Sequence, residues 1–434
     1  MRISLILVAI LNFFVQDEKF EIKTKPIVKR IIFLGNEKTK SEIIARELTF
    51  AINSELDTSE IEYNENRIYG TGLFNKVKIW VEKDSLGDSV NVYVWVNERW
   101  YIWPFPIFGW RDRDLRKLYY GAGLIHTNFR GRNEKIIFSF ALGYDPWVEI
   151  EYINPWILGS KNLFYSAEIY YQRLKSRSKS LEEETGAFYE DNLAFNFLLG
   201  KRFGLYKRLW GSAGFRSVST TGGNFELKTI SPSGTDRILV LKSGFRYDTR
   251  DIPVYPNTGL FFNFVFGFNK LLNHGAFFLQ GGFEVQAYQR FLLGLFAGRF
   301  FVLNSIGRKI PSYSRYYFGY QERLRGYFNE IFEGENIIKG TVEYRIPIIK
   351  QTFVKWEKAP LEEFSILRFG IDFTFFGDIG KTWFNSEKFF KLKYLKGYGV
   401  GVNFLLPYDL ILSLEFARND EGRGQFIVDF GSRF

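Results

Sequence analysis

The side chains of this sequence that could do chemistry are carboxylates and guanidinium groups, and the chemistry open to them is ion pairing rather than turnover. Cysteine is absent, the single methionine is Met1, and the two histidines, His126 and His274, have no acidic or thiol companion at ligand spacing. Thiol nucleophiles, disulfides and zinc sites are therefore excluded. No G-x-S-x-G elbow, H-E-x-x-H pair or phosphate loop occurs, so the chain reads as a non-enzyme with no catalytic residue, cofactor or metal site. What stands out is FGYQERLRGYF at positions 318–328, where Glu322, Arg323 and Arg325 crowd around Gly326 and Tyr327 among alternating aromatic and small polar residues. A guanidinium withdrawn from water is costly without a partner, and a carboxylate matches its fork in a bidentate pair. Whatever encloses Arg325 has to bring acidic side chains to it.

The elements that could do so are strands. Nearly a fifth of the 434 residues are aromatic, with 48 phenylalanines, yet after the N-terminus no run of about 20 apolar residues appears. Spanning helices are excluded on that ground, whereas a closed barrel, which satisfies every backbone group within the sheet, is not. The net charge of +10 is scattered along the chain without a basic run, so nucleic acid is not an expected partner. At the N-terminus, Arg2 precedes an apolar run from Ile3 to Val15 that then turns charged, the layout of a secretory signal peptide over residues 1–16.

From Ile27 to Val96 the pattern is α+β. An apolar strand IVKRIIFL is followed by a Gly35-Asn36 turn, and Thr39 with Glu42 stands at capping-box spacing before a helix carrying Ile44, Leu48 and Ala51. Asp57 and Glu60 repeat the device ahead of Ile61 and Ile68, and that helix ends at GTG, which contains Gly72. Two alternating segments follow, one starting near Phe74 with Val77, Ile79 and Val81 on one side, the other placing Val90, Val92, Val94 and Val96 together. They read as a hairpin, completing a β-α-α-β-β order over residues 22–98.

Beyond Trp100 the period is two. In GLFFNFVFGFN, Leu260, Phe262, Phe264, Phe266 and Phe268 share one face and Asn263, Gly267 and Asn269 the other, which is the apolar-out, polar-in pattern of a membrane barrel. About sixteen such segments span residues 103–434, opening with LYYGAGLI, including RYYFGY and closing with QFIVDFGSRF. The expected fold is an α+β domain followed by an all-β, sixteen-stranded antiparallel transmembrane barrel. Parity places Asp378 on the inward face with Arg368 and Asp372, and Glu343 inward with Arg345. The opening and closing segments must meet at a seam, where Gly121, Gly123 and Gly431 offer little packing.

The β-α-α-β-β unit, with FLGN (Gly35, Asn36) and GTGLFNKV (Gly72, Phe74), resembles a POTRA domain. Together with DTRDIPVYPNTG at 248–259, GTVEYRIPI, FGDIG at 376–380 and RGY at 325–327, the whole chain resembles the BamA/TamA superfamily of outer-membrane proteins. That resemblance implies that Arg325 is latched to Asp378, with Glu343 as second carboxylate, and that Gly326 and Tyr327 form the tip of a loop folded into the lumen. A terminal aromatic strand with Phe430 and Phe434 resembles the signal by which such barrels are recognised for assembly. The function implied is assembly or insertion of β-barrel proteins in the outer membrane of a diderm bacterium, with the POTRA domain in the periplasm, strand-edge capture and a lateral seam. The alternative is a polypeptide translocation channel. Expected partners are unfolded outer-membrane or exported polypeptides and outer-membrane lipids, with periplasmic chaperones or accessory lipoproteins left open.

Overall fold

A computed structural model describes residues 25–84, 89–111, 115–157, 162–320, 322–360 and 362–431. The signal-peptide segment and Phe434 lie outside the described residues. The N-terminal domain is a three-stranded sheet of β1 (Ile27–Leu34), β2 (Phe74–Lys83) and β3 (Ser89–Glu98) in the order β1-β3-β2, with β1 parallel and β2 antiparallel to β3. Two helices, α1 (Ser41–Ala45) and α2 (Ile61–Tyr69), cover it. The alternation expected for β3 is met in the core: Val90, Val92, Val94 and Val96 are buried with Ile44, Leu48 and Ile68. Gly35 and Asn36 form the turn after β1, where the Asn36 amide donates to the Thr39 carbonyl at 2.9 Å; Gly72 and Phe74 lead into β2, with Phe74 fully buried.

The expected capping box at Thr39 is not made. The N-cap of α1 is Lys40, with no side-chain cap, and Thr39 turns instead to the barrel, its hydroxyl 2.8 Å from the Tyr101 hydroxyl and 2.9 Å from the Asn128 amide. A buried hydroxyl needs a partner, and two polar side chains from the neighbouring domain outcompete one backbone N–H. Asp57 does cap, accepting from Ser59 N at 3.0 Å at the head of a short 3-10 turn (Thr58–Glu60) that feeds α2. Ala51, expected on the apolar face, is exposed.

The barrel wall opens with β4 (Ile102–Trp110), β5 (Leu118–Phe129), β6 (Glu134–Gly143), β7 (Trp147–Asn154), β8 (Leu163–Lys175) and β9 (Tyr189–Phe203). It continues through β10 (Lys207–Thr220), β11 (Thr235–Asp248), β12 (Gly259–Leu271), β13 (Phe277–Phe291) and β14 (Gly294–Gly307). After a loop spanning 308–335, which holds the small hairpin of β15 (Tyr316–Phe318) and β16 (Phe332–Gly334), come β17 (Asn336–Lys355) and β18 (Ile366–Trp383). The wall ends with β19 (Leu395–Leu406), β20 (Leu410–Asn419) and β21 (Gly424–Phe430). Among the described residues the sixteen wall strands form one sheet of antiparallel neighbours that is not closed, with β4 and β21 at its two ends.

The count of sixteen agrees with the sequence reading, but two of the segments change place. RYYFGY is no wall strand; Tyr316–Phe318 belongs to the lumenal hairpin, and Phe318 is fully buried there. The wall instead begins one strand earlier, with IWPFPIFGW, so LYYGAGLI is the second strand and its ladders are to β4 and β6. An edge strand tolerates Pro104 and Pro106 because a missing N–H there breaks no ladder. Outward faces carry exposed Leu260, Phe264 and Phe266 on β12 and Phe426, Val428 and Phe430 on β21.

The β11–β12 connection, which carries DTRDIPVYPNTG, reaches into the N-terminal domain. Ile252 is buried in that domain's core, and the Tyr63 hydroxyl donates to the Thr249 carbonyl at 3.0 Å. Asp251 closes the loop on itself by accepting from Asn257 N at 2.9 Å and Thr258 N at 3.2 Å.

Candidate functional site

The loop at 308–335 enters the lumen and builds a small apolar core there. Phe318, Leu324 and Tyr327 pack with Phe301 of β14 and Ile337 of β17. This packing fixes the loop against one wall, and the polar groups of the intervening residues are then met by side chains that the strand alternation points inward. Glu322 takes both terminal nitrogens of Arg299 at 3.0 and 2.9 Å, and the Lys339 ammonium donates to the Arg323 carbonyl at 2.7 Å.

Arg325 sits at the centre, only 7% exposed. Its Nε and Nη2 donate to the two oxygens of Asp378 at 2.9 and 2.6 Å, the bidentate fork, and its own backbone N–H donates to the same carboxylate at 3.0 Å. The remaining terminal nitrogen, Nη1, donates to Glu343 at 2.7 Å and to Glu415 at 3.1 Å. The guanidinium lies over the face of Phe376, 3.8 Å from the ring centre. Glu343 in turn accepts from Arg345 Nε at 2.9 Å, and Arg345 stacks over Tyr255, whose hydroxyl donates to Asp372 at 2.8 Å. Asp378, Glu343 and Glu415 are thus met by guanidinium groups and Asp372 by a hydroxyl donor, which is the condition under which buried charges are tolerated away from water.

Backbone geometry permits the approach. Gly326 has φ +95°, a left-handed conformation that a side chain resists. On β19 a Cβ at Gly397 would lie 1.6 Å from the Arg325 carbonyl oxygen, so only glycine leaves room for the loop there. Past the tip, the Tyr327 hydroxyl donates to Asp420 at 2.5 Å, in the turn between β20 and β21. Burial, then that carboxylate, pushes the tyrosine pKa up; the same hydrogen bond, aided by Lys393, holds Asp420 down to about 2.

The sequence-derived set Arg325, Gly326, Tyr327, Glu343 and Asp378 is therefore gathered in one place. Gly35, Asn36, Gly72 and Phe74 lie apart from it, in the N-terminal domain, and Phe430 lies outward on β21. Glu415, Phe376, Gly397 and Asp420 were not foreseen. A signal for Glu415 existed: in LILSLEFAR it shares a face with Ser413, opposite Leu412, Leu414 and Phe416, by the parity that singled out Asp378.

Comparison with known proteins agrees with this architecture. The Omp85 superfamily domain matches residues 128–434, and a POTRA model, described as surface antigen variable number repeat, matches residues 26–99. The chain belongs to the Omp85 superfamily: it is an outer-membrane β-barrel protein with an N-terminal POTRA domain. Among solved structures it is similar to BamA from Haemophilus ducreyi lacking POTRA domains 1–3, at 16% identity and TM-score 0.54, covering 94% of this chain and 85% of that one. It is also similar to CdiB from Escherichia coli (10%, TM-score 0.61, 94% and 76%) and CdiB from Acinetobacter baumannii (13%, 0.52, 93% and 73%). Among curated proteins no match is found.

Proposed function

We propose that this protein is an assembly factor that folds and inserts β-barrel polypeptides into the outer membrane through a lateral seam. The observation that carries the reading is a pair of facts about one barrel: its lumen is occupied by a loop pinned through buried ion pairs, while among the described residues its sheet has no ladder between β4 and β21. A path through the lumen requires breaking the latch; a path between the two end strands does not. In this reading the POTRA domain lies in the periplasm. Its sheet has β2 at one edge, which offers free backbone groups to an extended polypeptide. Partners are then unfolded outer-membrane polypeptides and the surrounding lipids, with periplasmic chaperones or accessory lipoproteins delivering the client.

The rival reading, translocation of a polypeptide through the lumen, requires the loop to leave. Reconstitution separates the two. Liposomes containing the protein are offered a urea-unfolded outer-membrane barrel, and its folding is followed by protease protection. A disulfide bridging β4 and β21 is expected to stop insertion, and a disulfide tying the loop to β18 is expected to leave it intact. Insertion at the normal rate with the seam locked would defeat the proposal; loss of transport only with the loop locked would establish the rival.

A further inference from the structure

Two arginines of this barrel are equally withdrawn from water and unequally served. Arg325 and Arg202 are each 7% exposed. Arg325 has three carboxylates. Arg202, at the barrel end that meets the POTRA domain, has none among the described residues: its Nε donates to the Pro155 carbonyl at 3.0 Å, and its guanidinium lies 4.8 Å from the centre of the Trp156 ring. The ladder adds to the deficit. Arg208 of β10 stands directly opposite Arg202, and Arg246 of β11 directly opposite Arg208, so three arginines form one row on adjacent strands. The row faces the lumen, since Phe203 and Leu209 beside it are exposed outward. Side chains so placed are about 5 Å apart at Cβ, where like charges destabilise a sheet.

The POTRA domain brings more positive charge to the same spot. Arg46, next after α1, lies 4.5 Å from the same Trp156 ring, and neither its guanidinium nor that of Arg208 makes a hydrogen bond or ion pair among the described residues. The carboxylates whose charge reaches the row, Glu47, Asp248 and Glu284, are each bound to a different arginine: Arg67 at 2.6 Å, Arg250 at 2.8 Å and Arg299 at 2.6 Å. Elsewhere the two domains meet through direct ion pairs, Arg99 with Asp409 at 2.9 Å and Lys38 with Glu363 at 3.0 Å. Here cation meets cation. Water can hydrate such a set but cannot neutralise it, and a buried guanidinium without a counter-charge is costly. We propose that Arg202, Arg208, Arg246 and Arg46 form a binding site for a phosphate group, which bridges the POTRA domain to the barrel wall. A phosphate monoester carries close to two charges and three acceptor oxygens, so it can serve several guanidinium forks at once, whereas a carboxylate serves one or two. Its source is a soluble phosphate compound or a lipid headgroup. The site does not depend on the path that a client polypeptide takes.

The protein in dodecyl maltoside, in phosphate-free buffer at about 0.15 M salt, is titrated calorimetrically with inorganic pyrophosphate and, separately, with monomeric dihexanoyl phosphatidic acid. Saturable binding of either supports the site, pyrophosphate alone marking a soluble ligand and phosphatidic acid alone a headgroup. Arg208→Gln is expected to weaken binding at least about tenfold. Lys242→Gln, inward on β11 about 13 Å from Arg246, is expected to change it by less than about twofold. Because the Arg208 guanidinium has no partner in the wall, Arg208→Gln without phosphate is expected to leave the temperature of the gel-mobility shift unchanged or higher. A fall would show that the wall itself needs this charge and would overturn the proposal. No saturable binding, Arg208→Gln binding like the parent, an equal loss from both variants, or tighter binding of glutarate would overturn it too.

Discussion

Two walls of the same barrel carry the same sequence pattern and end in opposite states. Strands β17 to β20 point Glu343, Asp378 and Glu415 inward, and a loop fills the space against them until each carboxylate is almost fully buried. Strand β11 also alternates apolar-out and polar-in, yet its inward Lys242 stands exposed in the lumen. Alternation decides only which side of the wall a side chain occupies. Whether an inward charge becomes a structural contact depends on a second segment arriving to exclude water, which turns a weak solvated charge into one whose partner matters.

The sharpest way to break this contrast is to remove the cation. Arg325→Ala leaves three inward carboxylates with their guanidinium gone, and a loss of about 3 kcal/mol is expected, read as a lower temperature of the gel-mobility shift and faster proteolysis of the 308–335 loop. A double-mutant cycle with Asp378→Ala should show strong coupling; additive losses would mean the two residues do not act as a pair. Arg325→Lys should recover little, since an ammonium cannot form the fork.

Next in size is a change on the facing strand that touches no charge. Gly397→Ala places a methyl group where the Arg325 carbonyl lies, and about 2 kcal/mol of destabilisation is expected from overpacking, with the same loop-cleavage readout. A neutral outcome would show that the loop is seated by its ion pairs alone.

A smaller effect is expected from pH. The Asp420 carboxyl is held down to about 2 from an ordinary 3.8, so its bond to Tyr327 contributes above about pH 4 and is lost as pH falls through about 2. Pepsin cleavage of the loop should rise in that window, and Asp420→Asn should abolish the Asp420 share of the rise. At the far end of the scale, Lys242→Ala on the bare wall should change stability by no more than about 0.5 kcal/mol, and a larger loss would show that this wall also holds a structured contact.

The inward direction of Asp378 and Glu343 was legible because side-chain direction in a strand is a matter of counting, and it could be assigned before any strand was placed beside another; their pairing with Arg325 was implied by the family resemblance. Glu415 obeyed the same count, but nothing local marks the third carboxylate as adjacent, because adjacency across β18, β19 and β20 is set by register. The valine positions of β3 were legible for the same reason, whereas Thr39 was misread as a helix cap because its partners, Tyr101 and Asn128, lie 62 and 89 residues away.

The sequence by itself determined the alternation, the aromatic outer face and the charge content of the lumen, since these follow from period-two geometry and from the exclusion of unpaired polar groups from lipid. Tertiary structure alone decided which alternating segments became wall. RYYFGY and IWPFPIFGW are both aromatic-rich and short; the first was drawn into the lumen by Leu324, Tyr327 and the ion pairs that follow, and the second, with two prolines, took the one place in a sheet where a missing donor breaks no ladder.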